Sequence, residues 1–128
     1  MRPETIEKIA PWVAAAVDAT GGTHTVGDLV EAVVAGKINL FVGHRCFCAT
    51  EFVNYPRLRV LNVFLAGGDL AEKDELEPLI EAWARGGGAE EIVFAGKLSK
   101  AARRRIGWAK ACPNYQATHA YFRRRIEP

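Results

Sequence analysis

With 128 residues, 49% of them apolar and 25% charged, the chain has the size of one globular domain and can bury a core without disulfides or metals. No apolar run is long enough to cross a bilayer, and Met1-Arg-Pro-Glu4 lacks the apolar centre of a secretory leader. The expectation is therefore a soluble cytoplasmic protein with no membrane partner and, given the odd set Cys46, Cys48 and Cys112, free thiols in a reducing compartment.

In residues 5–18, Ile6, Ile9, Trp12, Val13, Ala16 and Val17 recur at spacings of three and four, which predicts a helix with one apolar face. Pro11 weakens or kinks it, and Thr20-Gly-Gly22 ends it. Thr25 with Asp28 three residues on approaches a capping box, and Val26, Leu29, Val30, Val33 and Val34 stripe a second helix that closes at Gly36. Residues 38–42, 46–53 and 59–65 read as strands, separated by turns at Gly43-His-Arg45 and Asn54-Tyr-Pro-Arg57. Joined by turns this short, the three should be antiparallel.

Gly67-Gly68 then reads as a turn into the most secure helix, 69–85. Asp69 is its expected cap and Glu72 stands in the capping-box position. Leu70, Leu76, Leu79, Ile80, Trp83 and Ala84 form its expected buried stripe, with a bend at Pro78. Residues 91–95 form a fourth strand, and the helix before it makes a βαβ crossover, so this strand should run parallel to the third. A basic helix is expected over 100–112 and a last strand over 118–126. The fold class is thus α/β (α+β): a mixed sheet of antiparallel first strands, then a βαβ crossover, flanked by helices. The domain expectation is a single unit over 1–128, with the N-terminal helix in 1–22 and the main α/β unit in 23–128.

A strand–glycine turn–helix junction aims backbone N–H groups at whatever lies in front of it, a common way to hold phosphate. The charge is uneven. Acidic residues dominate 69–91, whereas 97–125 carry lysines and arginines and no acid. That late basic segment could meet phosphates of a cofactor, a nucleic acid or an acidic partner.

The order of elements, with Glu51-Phe-Val-Asn-Tyr-Pro56, Leu65-Ala-Gly-Gly68, Glu81-Ala-Trp-Ala84, Arg105-Ile-Gly-Trp108 and the strand after Tyr115, resembles the GNAT-type N-acetyltransferase fold. It is most similar to the divergent GNAT-like proteins of tailed bacteriophages, over about residues 25–126. The resemblance implies acetyl-coenzyme A bound where the third and fourth strands of this chain splay apart. It puts the pantetheine arm on the edge formed by Val63, Phe64, Leu65 and Ala66, and the diphosphate on the amides of Gly67, Gly68, Asp69 and Leu70. It implies acetyl transfer to the amine of a small molecule or protein, with Tyr115 standing in for the family's tyrosine acid. A second reading keeps the fold without the cofactor site, as a virion component or host-directed binding protein. Phe64-Leu-Ala-Gly-Gly-Asp69 departs from the family's usual diphosphate loop, and Trp108 and Lys110 stand where a tyrosine is usual.

Glu51 lies among apolar neighbours and is the candidate base; the alternative is a strand-end glutamate facing water. His44, Cys46 and Cys48 alternate, yet buried thiols and a turn histidine explain them without a metal. Arg103-Arg-Arg105 and Arg123-Arg-Arg125 could contact nucleic acid, but three consecutive residues cannot share one face and no nucleic-acid motif accompanies them.

Overall fold

The computed structural model describes residues 3–18, 22–95, 97–98, 105–106, 110, 112–118, 124 and 126. They fall into two compact units, Met1–Phe94 and Ala95–Pro128, where the sequence reading treats 1–128 as one. The first unit is a mixed α/β domain. Its elements are α1 (Pro3–Asp18), α2 (Val26–Val34), β1 (Asn39–Val42), β2 (Cys46–Asn54), β3 (Arg59–Gly68), a 3-10 turn (Leu70–Glu72), α3 (Lys73–Gly86) and β4 (Glu91–Phe94).

The sheet order is β1-β2-β3-β4. The first three strands are antiparallel, with Asn39 opposite Thr50 and Asn54 opposite Arg59, and β4 runs parallel to β3. The expected turns are in place. Gly43 N–H donates to the Cys46 carbonyl at 2.8 Å, and Tyr55 N–H to the Leu58 carbonyl at 2.8 Å.

Side chains alternate across β2, so the strand serves two helices. Phe47 and Ala49 point to one face and join Ile9, Val13 and Ala16 of α1, Leu29 of α2 and Leu65 of β3 in the main core. Cys46, Cys48 and Thr50 point to the other face and are buried, as are Leu76, Ile80 and Ala84 of α3. Withdrawing a side chain as large as Phe47 from water stabilises the fold by roughly 1.5–3 kcal/mol.

Four expectations need correction. β3 does not stop before the glycine pair; it runs through Gly68. Asp69 does not cap α3 but the 3-10 turn, its Oδ1 accepting from Ala71 N–H at 2.9 Å; Glu72 precedes α3 and makes no side-chain cap bond. Leu79 and Trp83 are not core, being 55% and 45% exposed. Ile80 and Ala84 take the buried side of α3, and the Trp83 ring lies against Phe41 and Phe52 at the rim of the sheet. Finally, Arg105–Ile106 form a strand, β6, antiparallel to β5 (Lys97–Leu98) in the second unit, where the sequence predicts a basic helix. Gly107 directly after Ile106 is a poor helix residue in the sequence, and of the expected helix Lys110 is helical. Trp108 and most of the expected last strand, 119–123 and 125, lie outside the described residues.

The capping box at α2 forms as the sequence predicts. Asp28 N–H donates to Thr25 Oγ1 at 3.1 Å, and Thr25 N–H donates to Asp28 Oδ2 at 2.9 Å. Accepting from Thr25 holds the Asp28 carboxyl below its ordinary 3.8. A lowered folded pKa adds stability above the unfolded value that is lost as pH falls through the folded one. Asp28→Asn should therefore lower the urea midpoint at neutral pH, and the gap from the parent should narrow as the pH falls through the acid range in which this carboxyl protonates.

Candidate functional site

The first unit is least regular where β3 outruns β4. β4 pairs with β3 from Val60 opposite Glu91 to Val63 opposite Phe94, and there it ends. β3 continues to Gly68, and no strand flanks residues 64–68 on that side among the described residues.

The pairing stops at a bulge. Thr50 lies opposite Val63 and Ala49 opposite Leu65, so Phe64 is an extra residue in β3. The insertion switches the faces of the strand. Without it Leu65 would point towards α3; with it, both Phe64 and Leu65 pack on the α1 side. Bulges of this kind re-aim side chains and end strand pairing beside functional sites.

The ladder fixes which backbone groups face the opening. Asp69 N–H donates to the Arg45 carbonyl at 2.7 Å. By alternation Gly67 also bonds towards β2, while the N–H and C=O groups of Ala66 and Gly68 face the open side. Two of the four amides assigned to a diphosphate, those of Gly67 and Asp69, are therefore engaged within the chain. The turn that follows is also closed on itself, because Glu72 N–H donates to the Asp69 carbonyl at 3.1 Å.

The glycine pair answers a different need. A Cβ on Gly67 would lie 2.8 Å from the Phe47 ring and 2.9 Å from the Trp12 carbonyl oxygen. A Cβ on Gly68 would collide with the Arg45 carbonyl oxygen, and its φ of +95° already favours glycine. The charge here is negative: Asp69 and Glu72 sit 4.0 and 3.8 Å from the exposed Arg45 guanidinium, a pairing of small energy in water.

Glu51 lies one rung before the bulge, opposite Asn62. It is half-buried, and its Oε1 accepts from Asn62 Nδ2 at 3.2 Å. Near the opening, the His24 ring stacks on Phe64 with centroids 5.3 Å apart, and His24 Nδ1 contacts Thr23 Oγ1 at 2.8 Å. The fold thus brings Glu51, Asn62, Phe64 and His24 around the end of the β3–β4 pairing. Sequence reasoning missed Asn62 and His24. Asn62 had a signal, being the single polar residue inside the apolar run Val60-Leu-Asn-Val-Phe-Leu65; His24 had none.

Glu51 also borders an open groove of about 500 Å³ lined by Asn39, Thr50, Phe52 and Trp83. The Trp83 ring meets Phe52 at 6.3 Å and Phe41 at 6.4 Å, and the Arg59 guanidinium lies 4.1 Å above Phe52.

The remaining candidates lie elsewhere. Tyr115 belongs to the second unit, where its N–H donates to the Cys112 carbonyl at 3.2 Å. His44 is exposed while Cys46 and Cys48 are buried, and no metal-holding cluster of histidine, cysteine and acidic residues occurs among the described residues. Burial, reinforced by Glu75, Glu72 and Asp69, pushes the Cys46 thiol up, which disfavours its thiolate. Of the two arginine clusters, Arg105 lies in β6, Arg124 is exposed, and the others lie outside the described residues.

No protein-family model matches this sequence, and no curated protein matches it. Two solved structures are similar to it, a point variant and the wild type of TTHA1254 from Thermus thermophilus. The first has a TM-score of 0.59 at 16% identity, covering 99% of this chain and 96% of that one. The second has a TM-score of 0.56 at 16% identity, covering 98% and 95%. The likeness is one of fold. Among the described residues no helix is long and apolar enough to cross a membrane.

Substitution at Gly68 should act on folding before it acts on any ligand. Gly68→Ala is expected to cost about 3 kcal/mol, combining left-handed strain with displacement of the Arg45 backbone, read as a lower denaturant midpoint without any ligand.

Proposed function

We propose that the chain is a GNAT-like acyltransferase that takes acetyl-coenzyme A along the open side of β3 and passes the acetyl group to an amine. The observation that supports this reading is the end of parallel pairing at Val63, followed at once by the Phe64 bulge and a stretch of β3 that no further strand flanks among the described residues. An extended pantetheine arm is a chain of amides, and the outward N–H and C=O groups of Ala66 and Gly68 suit it.

In this reading the amine nitrogen attacks the thioester carbonyl. A C–N bond forms, the C–S bond breaks, and an outward β3 amide stabilises the developing oxyanion. Glu51, oriented by Asn62, takes the amine proton directly or through water. The acceptor is a small-molecule or protein amine, in the host cytoplasm if the chain is phage-encoded.

One observation favours a second reading. The amides of Gly67 and Asp69 are spent on the ladder, and the Asp69 carboxylate repels a diphosphate. A GNAT-like protein without coenzyme, acting as a virion component or host-directed binding module, fits that arrangement.

A thermal melt with acetyl-coenzyme A separates the two. The transferase should gain stability with coenzyme, about 2.7 kcal/mol at a hundredfold excess over Kd. Glu51→Gln should then lower kcat by about a hundredfold while leaving that gain unchanged. An unmoved melt at millimolar coenzyme selects the binding module.

A further inference from the structure

β1 is an edge strand, and its outer side carries no strand among the described residues. Its sequence, Asn39-Leu-Phe-Val42, holds no charge and no proline, so it lacks the features that usually keep edges apart. An exposed apolar side chain flanks it: Trp83 on α3, whose ring meets Phe41 at 6.4 Å, is 45% exposed. The Gly43 N–H bonds inward to Cys46, so by alternation Asn39 and Phe41 also bond towards β2. The N–H and C=O groups of Leu40 and Val42 therefore face outward.

We propose that this edge pairs with β1 of a second copy of the chain, antiparallel about a two-fold axis through Leu40, joining the two sheets into one. An axis perpendicular to the sheet keeps each face on its own side, so opposed residues must share a face. A register centred on Leu40 satisfies that rule and is complementary in detail. On the α1 face Leu40 meets the partner's Leu40, and Ile38 meets the partner's Val42; all three residue types already pack against the core on that face. On the α3 face Asn39 meets the partner's Phe41 at the mouth of the groove it lines with Trp83.

Charge favours the same register. Lys37 comes opposite the partner's Gly43. The Glu75 carboxylate lies against Gly43, 3.1 Å from where a Cβ would stand, and it accepts from His44 N–H at 3.1 Å. Two-fold symmetry makes this lysine–glutamate approach twice. The occupant is thus a second copy, chosen by outward backbone groups, matched apolar pairs and two opposite-charge contacts together.

Sedimentation equilibrium of the whole chain tests this. The expected species has twice the 14.0 kDa chain mass. Lys37→Glu, an exposed change, should weaken the dimer about tenfold, and Lys37→Glu with Glu75→Lys should restore most of the loss. Val42→Pro removes an outward N–H that the monomer does not use, so it should yield a folded monomer, its fold checked by circular dichroism. A parent that stays monomeric at about 100 μM overturns the proposal. So does a dimer that tolerates both Lys37→Glu and Val42→Pro.

Discussion

Most of the first unit depends on how closely β3 approaches β2 and α1 at its far end. Phe47 is wholly buried, and its ring fills the space above Gly67 with the Trp12 backbone beside it. At Gly68 the Arg45 carbonyl comes so near that no side chain fits. Two glycines in succession let the strand stay in the ladder under a helix and a large ring. With any side chain at either position, α1 or the β1–β2 turn has to move, and the core around Ile9, Val13 and Leu65 moves with it.

That close approach and the bulge belong together. Shortly before the pair, Phe64 is inserted and the strand changes face. The change brings Leu65, and after it Gly67, to the α1 side, where Phe47 and Ala49 already point. The bulge thus aligns the glycine with the ring it must accommodate. It also coincides with the last β4 partner, so one local irregularity both completes the core and begins the stretch of β3 that has no outer strand among the described residues. The core residue Leu65 and the candidate site residues Phe64 and Ala66 are therefore placed by the same event.

How much of this is legible in the sequence depends on the range of each interaction. The α2 cap is readable because Thr25 and Asp28 are three residues apart and need nothing else. The antiparallel strands and the parallel crossover follow from short turns and one intervening helix. The glycine pair reads as a turn because the cause of its composition lies far off in the chain, at Phe47 and Arg45, where no local rule looks. Trp83 has the spacing of a core residue on α3, while its place at the rim, against Phe41 and Phe52, depends on strands distant in the sequence. Arg105–Ile106 belongs to a basic stretch with helical spacing, and only pairing with Lys97–Leu98 makes it a strand. At the site, Glu51 stands out by its apolar neighbours. Its partner Asn62 becomes visible only with the strand register.

Hydrogen-bond demand also constrains what chemistry the opening can support. A backbone N–H serves one strong partner at a time, and those of Gly67 and Asp69 already have theirs. An anion placed at the glycine pair would compete with the ladder that holds Phe47 in place and would face the Asp69 carboxylate as well. Binding there carries a penalty in core stability and in charge repulsion together. The outward groups of Ala66 and Gly68 carry no such penalty, and they lie on the same strand as Phe64 and Asn62. A ligand recognised mainly by amide pairing along the strand therefore suits this edge better than one anchored by phosphate, so the proposed acetyl-coenzyme A reading rests on the pantetheine arm rather than on the diphosphate.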